Sequence, residues 1–244
     1  MSRVRLDTLL VERGLAASRE RARALILAGR VLVDTVPGRK AGESVRSDAT
    51  VALLEPDHPY VGRGGVKLAH ALAQFAIRVA GRDALDIGAS TGGFTDALLR
   101  SGASRVVALD VGHGQIDWGL RNDPRVTVIE GVNARSLTLS QLPGAFDLVT
   151  IDVSFISLRH IVPVLPPVLR PGADVVALVK PQFEAGRREV GKGGVVRDAA
   201  VHARVVDEVV AAASAVGLGR LATTPSPLTG SSGNREFFVH LRLP

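Results

Sequence analysis

The sequence predicts a two-domain protein, with a small α+β module at residues 1–55, a linker at 56–63 and an α/β domain at 64–244. Positive charge separates the two parts, because residues 1–46 hold ten Arg and Lys against five Asp and Glu, whereas the remainder holds twenty against nineteen. From residue 83 onward, apolar runs of strand length alternate with runs of helical spacing, which is typical of a parallel sheet. The last two runs are joined by a loop of Pro, Gly and Ser, which favours a hairpin. We therefore expect a seven-stranded, mostly parallel sheet with a C-terminal antiparallel hairpin.

Composition narrows the class of protein. The chain has no cysteine, which excludes disulfides and thiolate metal sites and favours a reducing cytoplasm. Its six histidines show no metal-ligand spacing, so no metal site is predicted. The first residues lack a signal-peptide core, and prolines and charges interrupt the most apolar stretch, 161–179, so no membrane span is expected. The oligomeric state cannot be read from the sequence, and a monomer is slightly favoured.

The first module is predicted to contain two short helices followed by strands. Apolar spacing indicates a first helix that ends at Gly14 and a second over 19–29, capped by Ser18, with strands at 30–34 and 51–54. Arginines occupy the polar helix faces and suit contact with RNA phosphates, although a solvated charged face explains the charge equally well. The predicted RNA contacts in this module are Arg3, Arg5, Arg19, Arg21, Arg23 and Arg30.

The second domain is predicted to begin with a helix from 65 to about 77. Strands are expected at 83–87, 105–109, 126–129, 147–151, 174–179, 220–224 and 235–242, and helices near 93–100, 115–121, 157–169 and 199–216. We interpret His113 as loop structure near a ligand, and Trp118 as core or as a wall of the ligand pocket.

A glycine-rich turn after the first strand of the sheet predicts a ligand site. Residues 84–95 read ALDIGASTGGFT, a buried strand that runs into a turn with open backbone amides at the start of a helix. Asp110 ends the next strand and is placed to accept hydrogen bonds from ribose hydroxyls, so a nucleoside-containing cofactor is predicted. The glycines do not fit the spacing of a nicotinamide site, and Asp86 suits the cationic end of a sulfonium cofactor better than a pyrophosphate. The alternative is a tight turn without a ligand.

Four charged residues are predicted to meet at the carboxyl edge of the sheet. Asp152 and Lys180 end strands, Glu236 begins the last strand, and Lys67 begins the helix that leads into the first. The chain has 26 arginines and only four lysines, and a lysine, unlike an arginine, can lose its proton when its surroundings lower its pKa. The set therefore indicates catalysis. The alternative is two ordinary ion pairs, Lys67 with Glu236 and Lys180 with Asp152.

The glycine-rich, basic segment 184–198 follows Lys180 closely and reads EAGRREVGKGGVVRD. We interpret it as a lid that contacts RNA, and a merely flexible surface loop is the alternative. The predicted RNA contacts in the second part of the chain are Arg63, Arg187, Arg188, Lys192 and Arg197.

Several segments of the sequence resemble known protein families. RLDTLLVERGLAASRERARALILAGRVLVD, over about residues 3–54, resembles the RNA-binding module named after ribosomal protein S4. DIGASTGG resembles the first motif of Rossmann-like methyltransferases, D-x-G-x-G-x-G, with Ser90 at the middle glycine. The four charged residues resemble the Lys-Asp-Lys-Glu tetrad of FtsJ-type ribose 2′-O-methyltransferases. With VGRGGVKL, IDVSFISL and SPLTGSSGNREFF, nearly the whole chain resembles the TlyA, or haemolysin-A-like, family.

The resemblance implies a Rossmann-like methyltransferase that uses S-adenosyl-L-methionine to methylate the ribose 2′-hydroxyl of cytidine in ribosomal RNA, with ribosomal subunits as partners. In the mechanism that we hypothesise, Lys180, held by Asp152 and Glu236, accepts the hydroxyl proton, and Lys67 orients the hydroxyl. The implied cofactor contacts, to which Asp86 is added, are Gly88, Ser90, Thr91, Gly92, Gly93, Phe94, Asp110, Val111, Asn133 and Asp152.

Three other functions are alternatives to ribose methylation. They are a pseudouridine synthase with the same RNA-binding module, a ribosome-assembly factor that binds RNA without catalysis, and a membrane-active haemolysin. The glycine-rich turn argues against the synthase, the tetrad argues against the assembly factor, and the lack of an expected membrane span argues against the haemolysin.

Overall fold

The computed structural model describes residues 2–27, 29–54, 58–230 and 232–244. Contacts divide the chain into two units, residues 1–59 and 60–244. Residues 55–57, where the predicted first domain meets the linker, lie outside the described residues.

The N-terminal unit packs two helices against two small antiparallel sheets. Its elements are β1 (Arg3–Arg5), α1 (Leu6–Glu12), α2 (Arg19–Leu27), β2 (Val31–Val33), β3 (Val36–Pro37), β4 (Ser44–Arg46) and β5 (Val51–Leu53). β1 pairs with β4, and β2 lies between β3 and β5. Leu6, Leu10 and Ile26 form its fully buried core. The sequence does not predict β1, β3 and β4, because β1 and β4 each hold one apolar residue between polar ones and β3 is two residues long, whereas the predicted β2 and β5 are continuous apolar runs.

The C-terminal unit is a seven-stranded sheet with apolar cores on both faces. Its helices are α3 (Arg63–Gln74), α4 (Gly93–Arg100), α5 (Trp118–Arg121), α6 (Pro181–Glu184) and α7 (Ala199–Ser214). Its strands are β6 (Asp83–Ile87), β7 (Arg105–Asp110), β8 (Val126–Glu130), β9 (Phe146–Ile151), β10 (Leu169–Val179), β11 (Gly219–Pro225) and β12 (Phe237–Arg242), in the order β11-β12-β10-β9-β6-β7-β8. None of the described helices is long and apolar enough to cross a membrane.

The direction of the strands confirms the predicted fold class. β6 to β10 run parallel, whereas β12 is antiparallel to β10 and β11 is antiparallel to β12. Successive strand residues point to opposite faces, so Leu85 packs in the core with α7 while Ala84 packs with α3 and α4. Val179 pairs with Phe237, which brings the carboxyl end of β10 beside the start of β12.

Two predicted helices differ from the structure. Residues 157–169 form three 3-10 turns, Leu158–His160, Val162–Val164 and Pro166–Val168, and not an α-helix. Prolines in this stretch lack the amide hydrogen that an α-helix requires, although the apolar spacing still buries Ile161 and Leu165. The helix predicted at 115–121 is a single turn that begins after Asp117, whose carboxylate accepts the N–H of Gly119.

Candidate active site

The carboxyl edge of the parallel strands collects the four charged residues that the sequence singles out. Asp152 follows β9, Lys180 follows β10, Glu236 precedes β12, and Lys67 lies on the second turn of α3. The carboxyl ends of parallel strands are the usual ligand edge of an open α/β sheet. The structure therefore brings the predicted tetrad to the expected place.

The tetrad consists of two close ion pairs. Lys67 Nζ lies 2.5 Å from Glu236 Oε2, and the two side chains are only 10% and 2% exposed. Lys180 Nζ lies 2.6 Å from Asp152 Oδ1 and donates a hydrogen bond of 3.0 Å to Ser154 Oγ. The two ordinary ion pairs that the sequence leaves as the alternative to catalysis are thus present. It does not exclude catalysis, because Lys67, Lys180 and Glu236 also line one cavity of about 640 Å³, here called the lysine cavity.

A second cavity, of about 550 Å³, lies at the ends of β6 and β7 and is here called the Asp110 cavity. Asp110 Oδ2 accepts the N–H of Ser90 at 2.8 Å, and Oδ1 accepts the N–H of Gly112 at 2.7 Å. Each carboxylate oxygen keeps a second lone pair, so both can still accept hydrogen bonds from ribose hydroxyls. The predicted cofactor contacts that line this cavity are Gly88, Ser90, Asp110, Val111, Asn133 and Asp152.

A smaller cavity, of about 250 Å³, shares lining residues with each of these two. Thr91, Gly93 and Phe94 line it on the side of the glycine-rich turn, and Asp152 and Lys180 line it on the other. Asp152 also borders the Asp110 cavity, and Lys180 also borders the lysine cavity. Residues of the glycine-rich turn and Lys180 therefore line one common cavity.

The conformation of the glycine-rich turn explains its residues. Gly88 has a φ of +86°, and a Cβ there would lie 2.4 Å from the carbonyl oxygen of Asp152. Ser90, at the middle-glycine position of the motif, has a φ of +49°, which costs a side-chain-bearing residue some strain. Its N–H bond to Asp110 offsets that strain. Gly92 has a φ of +97°, and a Cβ there would lie 2.3 Å from Leu120 Cδ1, so the turn requires glycine at this position; its contact with the cofactor stays a prediction.

Asp86 also departs from its predicted role as a cofactor contact. Its side chain is fully buried and lines none of the three cavities. Oδ2 accepts a hydrogen bond of 2.7 Å from Thr95 Oγ1, and Oδ1 accepts one of 3.1 Å from Thr150 Oγ1. Burial raises the pKa of Asp86 to about 7, although the two hydroxyls oppose the rise. Asp86 therefore supports the turn from beneath.

Asp86→Asn should change how stability depends on pH. The pKa of Asp86 is about 7 in the folded chain and 3.8 for the free group, so the folded state binds the extra proton between these values and stability falls as pH rises from 4 to 7. This cost, of the order of 4 kcal/mol, is absent in the asparagine variant. We expect the variant to gain stability over the wild type progressively from pH 4 to 7, and to keep its affinity for the cofactor. Urea unfolding at several pH values measures this, and parallel curves would contradict it.

Comparisons with known proteins agree with the geometry. The profile of the FtsJ-like methyltransferases matches residues 60–243, and that of the S4 domain matches residues 4–51. The chain is 50% identical to the 16S/23S rRNA (cytidine-2′-O)-methyltransferase TlyA of Mycobacterium tuberculosis, over 98% of this chain and 90% of that protein. The chain belongs to the TlyA family of FtsJ-like methyltransferases.

Other members of the TlyA family carry the name hemolysin. Hemolysin A of Brachyspira hyodysenteriae is 39% identical over 97% of this chain and 99% of that protein. A solved structure described as a hemolysin from Streptococcus thermophilus is 42% identical, covers 100% of this chain and 89% of that chain, and superposes with a TM-score of 0.78.

Membership of the TlyA family confirms the predicted methyltransferase class and its methyl donor, S-adenosyl-L-methionine. The residues present fit this cofactor. The Asp110 carboxylate and the apolar wall formed by Val111, Val132 and Ala134 suit a nucleoside, and Gly88 leaves room where a Cβ would strike the backbone. Among the described residues, no cluster of three or more His, Cys, Asp or Glu could hold a metal ion.

Sequence analysis missed several residues of the lysine cavity, among them Ser154, Phe155, Gln182 and Phe183. Phe155 is 89% exposed, has a φ of +63°, and lies 5.1 Å from the ring of Phe183. A phenylalanine with positive φ is uncommon, and such strain gathers at functional sites. The one sequence signal for Phe155 is its place three residues after Asp152, in the loop that follows β9 at the carboxyl edge of the sheet.

Most of the predicted RNA contacts lie on exposed surface, whereas Arg21, Arg30 and Arg63 are half-buried. In the N-terminal unit, Arg5 and Arg19 both pair with the fully buried Asp7, while more than half of each arginine side chain stays exposed. In the C-terminal unit, Arg63 lines the lysine cavity and donates to the carbonyl of Thr229. The remaining predicted contacts are Arg3, Arg21, Arg23 and Arg30 in the first unit and the exposed Arg187, Arg188, Lys192 and Arg197 in the second.

Trp118 corrects a prediction, because it is 79% exposed and lines none of the three cavities. The short α5 turns it outward. His113 lies beside Gly131 at the end of β8, which agrees with its interpretation as loop structure.

Proposed function

We propose that the protein transfers the methyl group of S-adenosyl-L-methionine to the ribose 2′-hydroxyl of a cytidine in ribosomal RNA. One observation carries the proposal: Lys180 borders both the lysine cavity and the small cavity beside the cofactor turn. A hydroxyl in the lysine cavity would thus lie beside an amino group that also borders the space next to the cofactor turn. Ribosomal RNA and the cytidine come from the activity that the relative from Mycobacterium tuberculosis is named for.

The chain's own residues would move the proton. When bound, S-adenosyl-L-methionine supplies an electrophilic methyl group. Lys180 Nζ would accept the 2′-hydroxyl proton, and Asp152 and Ser154 hold this nitrogen in place through contacts of 2.6 and 3.0 Å. Glu236 fixes Lys67, whose ammonium donates to the hydroxyl oxygen and orients it. Positioning and proton transfer together are the protein's part of the reaction.

Phe155 is suited to receive the base of the target nucleotide. It is exposed and borders both the lysine cavity and the Asp110 cavity. Proteins that act on single nucleotides stack an unpaired base on aromatic rings, which tolerate approach from the open face.

The rest of the RNA would be bound by phosphate contacts. We propose that the arginines of the N-terminal module and the exposed cations of segment 184–198 neutralise phosphates. The proposed domains are residues 1–55 and 64–244, joined by a linker at 56–63, and the proposed site of action is the ribosomal subunit in the cytoplasm.

Labelled methyl transfer tests the function directly. Purified protein is incubated with methyl-labelled S-adenosyl-L-methionine and separated ribosomal subunits, or with naked ribosomal RNA, and mass spectrometry locates the product. A 2′-O-methylcytidine at one position supports the proposal. No transfer to any of these substrates, or transfer to a base atom, overturns it.

The double variant Arg187→Gln, Arg188→Gln tests the role of the basic segment. Both side chains are exposed, so their loss should weaken RNA binding without unfolding the protein. The slope of log affinity against log salt should fall by about 1 to 2, and KM for RNA should rise while the affinity for the cofactor stays unchanged. Filter binding at several salt concentrations gives the slope.

Arg125→Gln with Arg220→Gln is the matched control, since it removes the same charge from two arginines that are each 47% exposed and paired with nearby aspartates. An equal fall in slope in the control would show that net charge, and not the segment, is responsible.

A further inference from the structure

The basic segment returns to the fold at a fixed point, Val196. Its side chain is only 2% exposed. Its N–H donates to Asn234 Oδ1 at 2.9 Å, and its carbonyl accepts a hydrogen bond of 2.9 Å from His202 Nε2. Both backbone groups of this residue are thus held by buried side chains, whereas Arg197 beside it is exposed.

Asn234 provides the larger part of this attachment. It is fully buried, and its Nδ2 also donates to the carbonyl of Gly194 at 2.8 Å. Its own carbonyl accepts the N–H of Gly230 at 2.9 Å. One side-chain amide therefore spans two positions of the segment while its backbone closes the turn before β12.

The same turn carries Glu236, two residues after Asn234. Gly194 of the segment, and Gly230 and Glu236 of the turn, all line the lysine cavity. Gly193 and Gly194 have φ angles of +81° and +76°, and glycine-rich chain loses more conformational entropy on ordering than other sequences. Two backbone hydrogen bonds, from the Gly191 N–H to Val195 and from the Gly194 N–H to Gly191, close a turn within the segment, and the side-chain bonds of Asn234 attach this turn to the fold.

We propose that Asn234 is a positioning residue for methyl transfer, because its buried amide holds the basic segment and the Glu236 turn together across the lysine cavity. It acts through the Glu236–Lys67 pair and through the cavity wall. The inference rests on the proposed transfer to RNA.

Two variants separate this role from a general loss of stability. Asn234→Ala removes both side-chain bonds. Asn234→Asp keeps the acceptor for the Val196 N–H but presents an oxygen to the carbonyl of Gly194, with almost no change in volume. Hydrogen exchange of residues 190–198 reports the attachment, and we expect exchange at the Val196 amide to accelerate about tenfold or more in the alanine variant.

Kinetic measurements show how loosening this attachment affects methyl transfer. At saturating cofactor, kcat for RNA methylation should fall about tenfold or more in both variants, because a misplaced tetrad member costs rate. The dissociation constant for S-adenosyl-L-methionine should stay within about twofold, since the Asp110 cavity contains none of these groups. Val209→Ala is the control: Val209 is fully buried on α7, so this variant loses stability without loosening the attachment and should keep its kcat below its unfolding temperature.

Several results would overturn the inference. They are faster exchange at Val196 with unchanged kcat, unchanged exchange, or an activity loss that follows only the unfolded fraction, as in Val209→Ala. If the wild-type protein transfers no methyl group to RNA, the proposed function fails and this inference with it. An active wild type with equally active Asn234 variants refutes the inference alone.

Discussion

The Lys180→Arg variant should fold, bind S-adenosyl-L-methionine and fail to transfer the methyl group. Lys180 borders both the lysine cavity and the small cavity beside the cofactor turn, as Arg63 and Ser154 do, and of these three it is the one that can accept a proton as an amine. Arginine keeps the positive charge opposite Asp152 but does not give up its proton in proteins, so it cannot accept the 2′-hydroxyl proton. We expect kcat to fall about 10²- to 10⁴-fold, the usual contribution of general acid–base catalysis. Single-turnover transfer to ribosomal RNA measures this loss.

Two measurements and a control variant show that the loss concerns catalysis and not cofactor binding or folding. Titration calorimetry should show unchanged cofactor affinity, and the unfolding temperature should stay close to that of the wild type because the ion pair with Asp152 is retained. Lys40→Arg is the matched control, since Lys40 is an exposed lysine of the N-terminal unit. Transfer by Lys180→Arg within threefold of the wild type would show that Lys180 is not the proton acceptor.

The tetrad could be predicted because strand direction determines it. Once β9 and β10 are recognised as parallel, Asp152 and Lys180 must lie at the same edge, and an antiparallel β12 must begin there with Glu236. Periodicity shows direction indirectly, through the helices and loops that connect strands. The sequence does not show which of these four residues are in contact, because topology places them at one edge without giving the distances between them.

Other features depended on contacts that periodicity does not reveal. Asp86 is the last residue but one of β6 and Asp110 is the last residue of β7, yet one is fully buried beneath two threonine hydroxyls and the other lines a cavity. Strand register explains the difference, because Asp86 lies opposite Ala108 of β7 and Thr150 of β9, whereas Asp110 lies two residues beyond Ala108, at the edge of the sheet. Phe155 is likewise exposed because of its backbone conformation, and apolar residues are otherwise assumed to be core.

The two ends of the sheet use different cations. At the carboxyl edge, Lys67 and Lys180 pair with carboxylates inside cavities. At the opposite edge, arginines hold the buried Asp174, at the start of the stretch of β10 that pairs with β12. Arginine forms several directed hydrogen bonds and keeps its charge, which suits a structural cluster, whereas lysine can exchange a proton. The lysines at the carboxyl edge are thus suited to proton transfer, and the arginines around Asp174 are suited to holding the fold together.

Asp174→Asn should be among the most destabilising single substitutions. Asp174 is only 1% exposed, and its oxygens lie 2.6 Å from Arg82 Nη1, 2.8 Å from His240 Nε2 and 2.7 Å from Arg242 Nη2. Burial alone would raise the pKa of Asp174, but hydrogen bonds from His240, Arg82 and Arg242 outweigh burial and hold the pKa below its usual range. Removing the charge leaves these three donors facing an amide. We expect a loss of about 3 kcal/mol, near the lower limit for a broken buried pair because both arginines are partly solvated.

Thermal unfolding should show this loss as a fall in Tm of roughly 6–12 °C. A depressed pKa stabilises the fold above the carboxyl group's ordinary pKa and ceases to do so as pH falls, so the gap between wild type and variant should narrow below about pH 4. Asp123→Asn is the control, because it removes a carboxylate that pairs with Arg125 near the surface, where such pairs contribute at most about 1 kcal/mol. Equal losses in the two variants would show that the Asp174 cluster does not hold this edge of the sheet together. Methyl transfer per folded molecule should be the same in Asp174→Asn as in the wild type, since the cluster lies at the edge away from Lys180.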